Sequence, residues 1–229
     1  MSSELQRDRI SIQVSLSGYS FKVENARGSQ SSDWQEPRTL FTSQVLQRTY
    51  AEVELSLFTP KCALVPEKFF SPESARELLS RTVQLETADR AFYVSVPQYA
   101  AVLLYSADSS LGLCDAILNS VRCGGSDKAP EFLPEMFFIL RDLSLSAEYN
   151  KILASWADGW LYLAIAQGRN LQLANVYRAA DFTTAEYFIF TALKSLQLNP
   201  EMSVISFRTP LSAEQEMSLY RYFRSVEKV

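Results

Sequence analysis

Histidine is absent from the 229 residues. That removes Ser-His and Cys-His nucleophile systems, imidazole metal ligands and the side chain that most often moves protons near neutral pH. Glycine is scarce: seven residues, at positions 18, 28, 112, 124, 125, 159 and 168. Loops that cradle phosphate spend glycines so that backbone amides can approach the ligand. Neither G-x-G-x-x-G nor G-x-x-x-x-G-K-[ST] occurs. Three cysteines, Cys62, Cys114 and Cys123, have no metal-type spacing and read as buried thiols of a reducing compartment. No apolar run approaches the ~18 residues of a membrane span. The polar opening, residues 1–9, lacks the apolar segment of a secretory signal. A cytoplasmic protein without a membrane span is the expectation.

Lysine and arginine number 22 against 26 aspartates and glutamates, a net charge of −4 that leaves no basic footprint for nucleic acid. Apolar residues make up 47% and charged residues 21%, an ordinary globular balance. A chain of this length buries roughly 70% or more of its unfolded surface. With histidine gone, catalysis by carboxylates, lysines or a bound Mg²⁺ stays open.

One pattern occurs twice. Residues 152–157, 160–166 and 171–177 read as three strands separated by the tight turns Asp158-Gly159 and Gly168-Arg169-Asn170, and residues 183–197 read as an apolar helix capped by Asp181 or Thr183. The N-terminus echoes the opening: residues 9–16 alternate apolar and polar, Ser17-Gly18 turns, and residues 19–24 continue. Strand patterns cover residues 50–58, 61–65, 92–96, 100–106 and 202–207. Helical patterns cover 39–48, the segment that Ser71 and Pro72 open, 111–121 (capped by Ser109 or Ser110), 133–143 and 212–226. In the last, Leu219, Tyr222, Phe223 and Val226 keep i, i+3, i+4, i+7 spacing. The segment 123–130 is the most loop-like.

The order strand–strand–strand–helix–strand–helix resembles an actin-like, ribonuclease-H-like lobe. RISIQVSLSGYSFKV, CALVPEKFF and LQLANVYRAADFTTAEYFIFTALKSLQLNP resemble the bacterial family known as domain of unknown function 3822, over about residues 9–223. The resemblance implies a mixed α/β, duplicated actin-like ATPase fold with lobes at residues 1–146 and 147–229. An actin-like lobe would add another strand after residues 212–226, and the second lobe is expected to lack it, leaving a sheet edge for a partner.

The resemblance also implies phosphate-holding turns, each with an acid, glycine and hydroxyls. Ser17 and Gly18 keep hydroxyl and glycine without an acid; Asp158 and Gly159 keep the acid, but Trp160 stands where small residues belong. These four residues are the candidate remnant phosphate turns. Asp158-Gly159 is equally an ordinary hairpin turn. The adenosine-side glycine pair is replaced by Arg208-Thr209-Pro210-Leu211. A ribonuclease-type two-metal site is excluded because residues 10–16 hold no carboxylate. The aromatic middle of the chain reads as packing, Asn175 as a buried amide serving the backbone, and the basic, aromatic tail 220–228 as a solvated helix end.

The expectation is a non-catalytic scaffold that binds an unknown protein partner and needs no cofactor. The alternatives are a nucleotide-binding protein or slow ATPase using ATP and Mg²⁺, and a small-molecule sensor using the space between lobes.

Overall fold

The computed structural model describes residues 8–107, 111–124 and 130–229. In chain order the strands are β1 (Arg9–Val14), β2 (Tyr19–Asn25), β3 (Gly28–Ser31), β4 (Thr49–Tyr50), β5 (Glu52–Leu57), β6 (Cys62–Pro66), β7 (Ala91–Val96), β8 (Ala101–Ser106), β9 (Arg122–Cys123), β10 (Phe132–Pro134), β11 (Asn150–Ala157), β12 (Trp160–Gln167), β13 (Asn170–Arg178), β14 (Val204–Phe207) and β15 (Ser225–Lys228). The helices are α1 (Ala75–Ser80), α2 (Leu111–Ser120), α3 (Glu135–Leu145), α4 (Phe182–Ser195) and α5 (Ala213–Tyr220). The chain forms two compact units, Met1–Phe58 with Ala107–Leu133, and Thr59–Ser106 with Pro134–Val229.

The first unit is built on a five-stranded sheet of order β10-β5-β1-β2-β3. β1 pairs antiparallel with β2 and parallel with β5. Ile10, Ile12 and Val14 are fully buried and pack with Leu55, Leu57 and Cys114 and Ile117 of α2. The helix expected at 39–48 is a 3-10 segment, Pro37–Thr42, followed by turns. Leu40 and Leu46 still reach the core, so the apolar spacing serves burial without α-helical bonding.

The second unit holds a five-stranded sheet of order β13-β12-β11-β14-β15 and a three-stranded one of order β6-β8-β7. β11 and β12 read as nearly continuous apolar runs because both faces are covered. Ile152 and Ala154 join Ile189 and Leu193 of α4, with Leu219 and Phe223, in one cluster. The alternate residue Ser155 turns to α3. Asp181 caps α4 by accepting from the Thr184 amide at 2.7 Å, which holds its carboxyl below the ordinary value. Ser71 and Ser74 form a capping box before α1.

The expected missing strand is present. A capping box at Ser212 and Gln215 starts α5, and the helix closes at Tyr220, where the amides of Tyr222 and Phe223 both reach the Leu219 carbonyl. β15 then pairs parallel with β14. Val226 is buried, as its spacing from Leu219 predicted, but it reaches the core from a strand. The tail is accordingly a sheet edge and not a solvated helix end. The expected caps Ser109 and Ser110 lie outside the described residues. Among those described, no helix is long and apolar enough to cross a membrane.

Candidate functional site

The first turn connects β1 to β2 through Ser15-Leu16-Ser17-Gly18. The Ser15 amide donates to the Gly18 carbonyl at 2.9 Å, and the buried Ser15 hydroxyl lies 3.2 Å from that of Ser17. Gly18 has a packing reason. The Tyr19 amide donates to the Gln35 carbonyl at 3.0 Å, the Gln35 amide donates back to Tyr19 at 2.7 Å, and a Cβ on residue 18 would collide with the Gln35 carbonyl oxygen. The Gln35 backbone, bridged antiparallel to Tyr19, stands where a side chain would be, which only glycine permits.

The second turn has two central residues. Asp158 has φ 51° and Gly159 φ 74°, and Ala157 pairs with Trp160 across the ladder. Two consecutive positive φ angles are those of the type I′ hairpin, for which Asp-Gly is favoured. The surroundings are the protein's own: the Ala179 amide donates to the Gly159 carbonyl at 2.8 Å, and the Trp156 indole donates to the Ala179 carbonyl at 2.9 Å. The Trp156 ring meets Phe182 edge-on. Ser17 and Gly18 thus share one turn in the first unit, and Asp158 and Gly159 share another in the second.

The segment expected to carry adenosine glycines holds a charged cluster that sequence reasoning missed. The Arg208 amide donates to the Ala154 carbonyl, extending β14. Its guanidinium donates from Nε to Glu135 Oε1 at 3.0 Å and from Nη1 to Asp142 Oδ2, and lies over the Phe138 ring. Glu135 is fully buried and also accepts from the Ser155 hydroxyl at 2.6 Å. Asp142 takes a second cation, Arg141 Nε at 2.8 Å, so two positive and two negative charges balance. Thr209 fixes the next residue by accepting from the Trp156 amide at 3.0 Å. The signal in the sequence was faint: Glu135 and Asp142 stand seven apart, on one helix face, and Arg208 replaces an expected glycine.

The donor set for a Mg-nucleotide is therefore thin: one carboxylate in the second turn, none in the first, and an ion-paired arginine in place of the glycine pair. Among the described residues, no group of three or more cysteine, aspartate or glutamate side chains gathers as a metal site would require. Of the three cysteines expected to be buried, Cys114 is, whereas Cys62 and Cys123 are half-buried; desolvation pushes the Cys62 thiol up to about 12, which disfavours its thiolate. Asn175 is exposed instead of buried; its Oδ1 accepts from the Val176 amide at 2.9 Å.

The fold recurs in solved structures. A Bacteroides thetaiotaomicron protein with actin-like ATPase fold and unknown function is 18% identical, with TM-score 0.69, over 100% of this chain and 94% of that one. A chain of the PilM-PilN type IV pilus biogenesis complex is 11% identical, with TM-score 0.51, over 99% of this chain and 88% of that one. No curated protein matches the chain. The fold is mixed α/β and actin-like, and residues 3–226 match the family described as "Protein of unknown function (DUF3822)", to which the chain belongs.

Proposed function

We propose that this protein is a non-catalytic member of the actin-like ATPase fold, a cytoplasmic scaffold that binds a protein partner through a frame that no longer handles nucleotide. Its duplicated halves are residues 1–146 and 147–229, each carrying one five-stranded sheet. The observation that carries this reading is Arg208. Where an ATPase pattern calls for a close-approach glycine pair, the chain puts an arginine whose side chain is 8% exposed and held by Glu135 and Asp142. The two turns support it, because Gly18 is required by the Gln35 crossing and Gly159 by its positive φ. The likeness to a chain of the PilM-PilN complex adds an instance of this fold within a protein assembly.

A melting scan with and without millimolar Mg-ATP tests the reading. A ligand at 100 times its dissociation constant stabilises the folded state by about 2.7 kcal/mol. For a chain of this size that is a rise on the order of 5–10 °C. The expected result is no shift. A rise that Asp158→Asn abolishes would overturn the scaffold reading in favour of a Mg-dependent nucleotide-binding protein.

A further inference from the structure

Within the second unit a groove of about 500 Å³ opens between the edges of its two sheets. One wall is Leu64 and Pro66 of β6, the other is Arg169, Asn170 and Leu171 where β13 begins, and Tyr99 lies between. Both strands are sheet edges: β6 pairs with β8 alone and β13 with β12 alone. The ladder fixes which backbone groups of β6 are unused. The Ser106 amide donates to the Lys61 carbonyl and the Glu67 amide to the Ala100 carbonyl. Hydrogen-bonded pairs alternate in an antiparallel ladder, so the odd-numbered residues of β6 bond to β8 and Leu64 turns its N–H and C=O outward. Leu64 is also a wall of the groove. Arg169 sits at the rim, exposed and without an ion-pair partner among the described residues.

One outward N–H on β6, at Leu64, walls that are part apolar and part polar, and one unmatched cation form a site for an extended chain bearing a carboxylate. The volume admits a few residues, not a folded surface, which argues against a second copy of this protein. Resting on the scaffold reading above, we propose that this groove binds an acidic, extended segment of a partner protein by strand addition to β6, with an aspartate or glutamate of that segment on Arg169. Phosphate chemistry plays no part in it.

The test uses the full chain and a random-peptide display library. The selection is expected to enrich peptides that alternate apolar residues around an aspartate or glutamate. By fluorescence anisotropy these bind about tenfold or more weakly to Arg169→Glu. Changing the peptide's acid to lysine restores binding to that variant. N-methylation weakens binding at alternate peptide residues only, the signature of strand pairing. Leu64→Pro removes an outward N–H without breaking the ladder, as edge strands tolerate, and abolishes binding while the melting temperature is retained. If Leu64→Pro unfolds the protein, the N-methyl scan and the charge swap decide alone. No enriched peptide, peptides without an acid, affinity indifferent to Arg169→Glu, or a concentration-dependent dimer that occludes the groove would each overturn the proposal. These failures leave the Mg-ATP scan untouched: a flat scan with no peptide breaks only the groove assignment, whereas a nucleotide-dependent rise breaks the scaffold reading itself.

Discussion

In the first sheet the third meander strand, β3, is four exposed residues; its counterpart β13 has nine, with apolar positions packed beneath α4. The strand orders correspond one to one, β10-β5-β1-β2-β3 and β15-β14-β11-β12-β13. In both, a meander leads into a parallel pairing, β1 with β5 and β11 with β14. Each sheet also has an arginine joined to two acids. Arg9 meets Glu52 at 2.8 Å and Glu54 at 3.8 Å on the surface, with half its side chain exposed. Arg208 meets Glu135 and Asp142 in the interior. The difference teaches that one topology tolerates two regimes. A half-covered sheet can hold its charges in water. A sheet covered on both faces holds the fully buried carboxylate of Glu135 against a cation, because desolvation is costly.

The largest effect expected from this contrast is at the two arginines. Arg208→Ala takes the guanidinium away from the buried Glu135 carboxylate and should cost about 3–5 kcal/mol in urea unfolding. Arg9→Ala should stay within about 1 kcal/mol. Combining Arg208→Leu with Glu135→Gln and Asp142→Asn should recover much of the loss, since the cost is an orphaned charge; no recovery would mean that the guanidinium mainly fills space.

The two turns come next. Gly18→Ala forces a Cβ against the Gln35 carbonyl and should cost about 1–3 kcal/mol, by moving backbone that the Tyr19–Gln35 hydrogen bonds hold in place. At Gly159 the nearest atom is 3.6 Å from an added Cβ, so only the positive φ opposes substitution. Gly159→Ala should cost about 1–2 kcal/mol and Gly159→Asn less. Equal losses for the two alanine variants would erase the distinction between a crossing and a turn.

A pH-dependent effect is expected in the second unit. The Asp181 carboxyl lies below its ordinary value chiefly because the Thr184 amide donates to it. A carboxyl lowered on folding adds stability that is fully present above its unfolded value, about 3.9, and lost as pH falls through the folded value. The stability difference between wild type and Asp181→Asn, from urea titrations at several pH values, should therefore shrink below about pH 4. A difference that stays constant would remove the charge from the explanation. The smallest effect expected is at Asp158. Asn-Gly serves the same turn, so Asp158→Asn should change stability by no more than about 0.5 kcal/mol.

Much of the second sheet was legible because its signals are local. Asp-Gly and Gly-Arg-Asn punctuate three apolar runs, and the strands fall within a residue or two of the expected bounds. Asp181 marked the start of α4 by the same logic. The 3-10 segment Pro37–Thr42 was not legible, because apolar spacing reports burial and not bonding pattern. Of the candidate site, the sequence could name Ser17, Gly18, Asp158 and Gly159 and say that Asp-Gly suits a turn. It could not say why residue 18 is glycine, since Gln35 lies seventeen positions away.

Periodicity and turn chemistry, which act over a few residues, determined by themselves the meander, its hairpin turns and most of the helices. Tertiary structure decided what depends on distant partners. Val226 reaches the core from a fifth strand because β14 offers an open edge beside it. Arg208 carries a buried charge because Glu135 and Asp142, more than sixty residues earlier, pair with it directly from α3. Local propensity costs or gains tenths of a kcal/mol per residue, whereas satisfying a buried charge or a sheet edge is worth several times that, so the longer-range choice prevails.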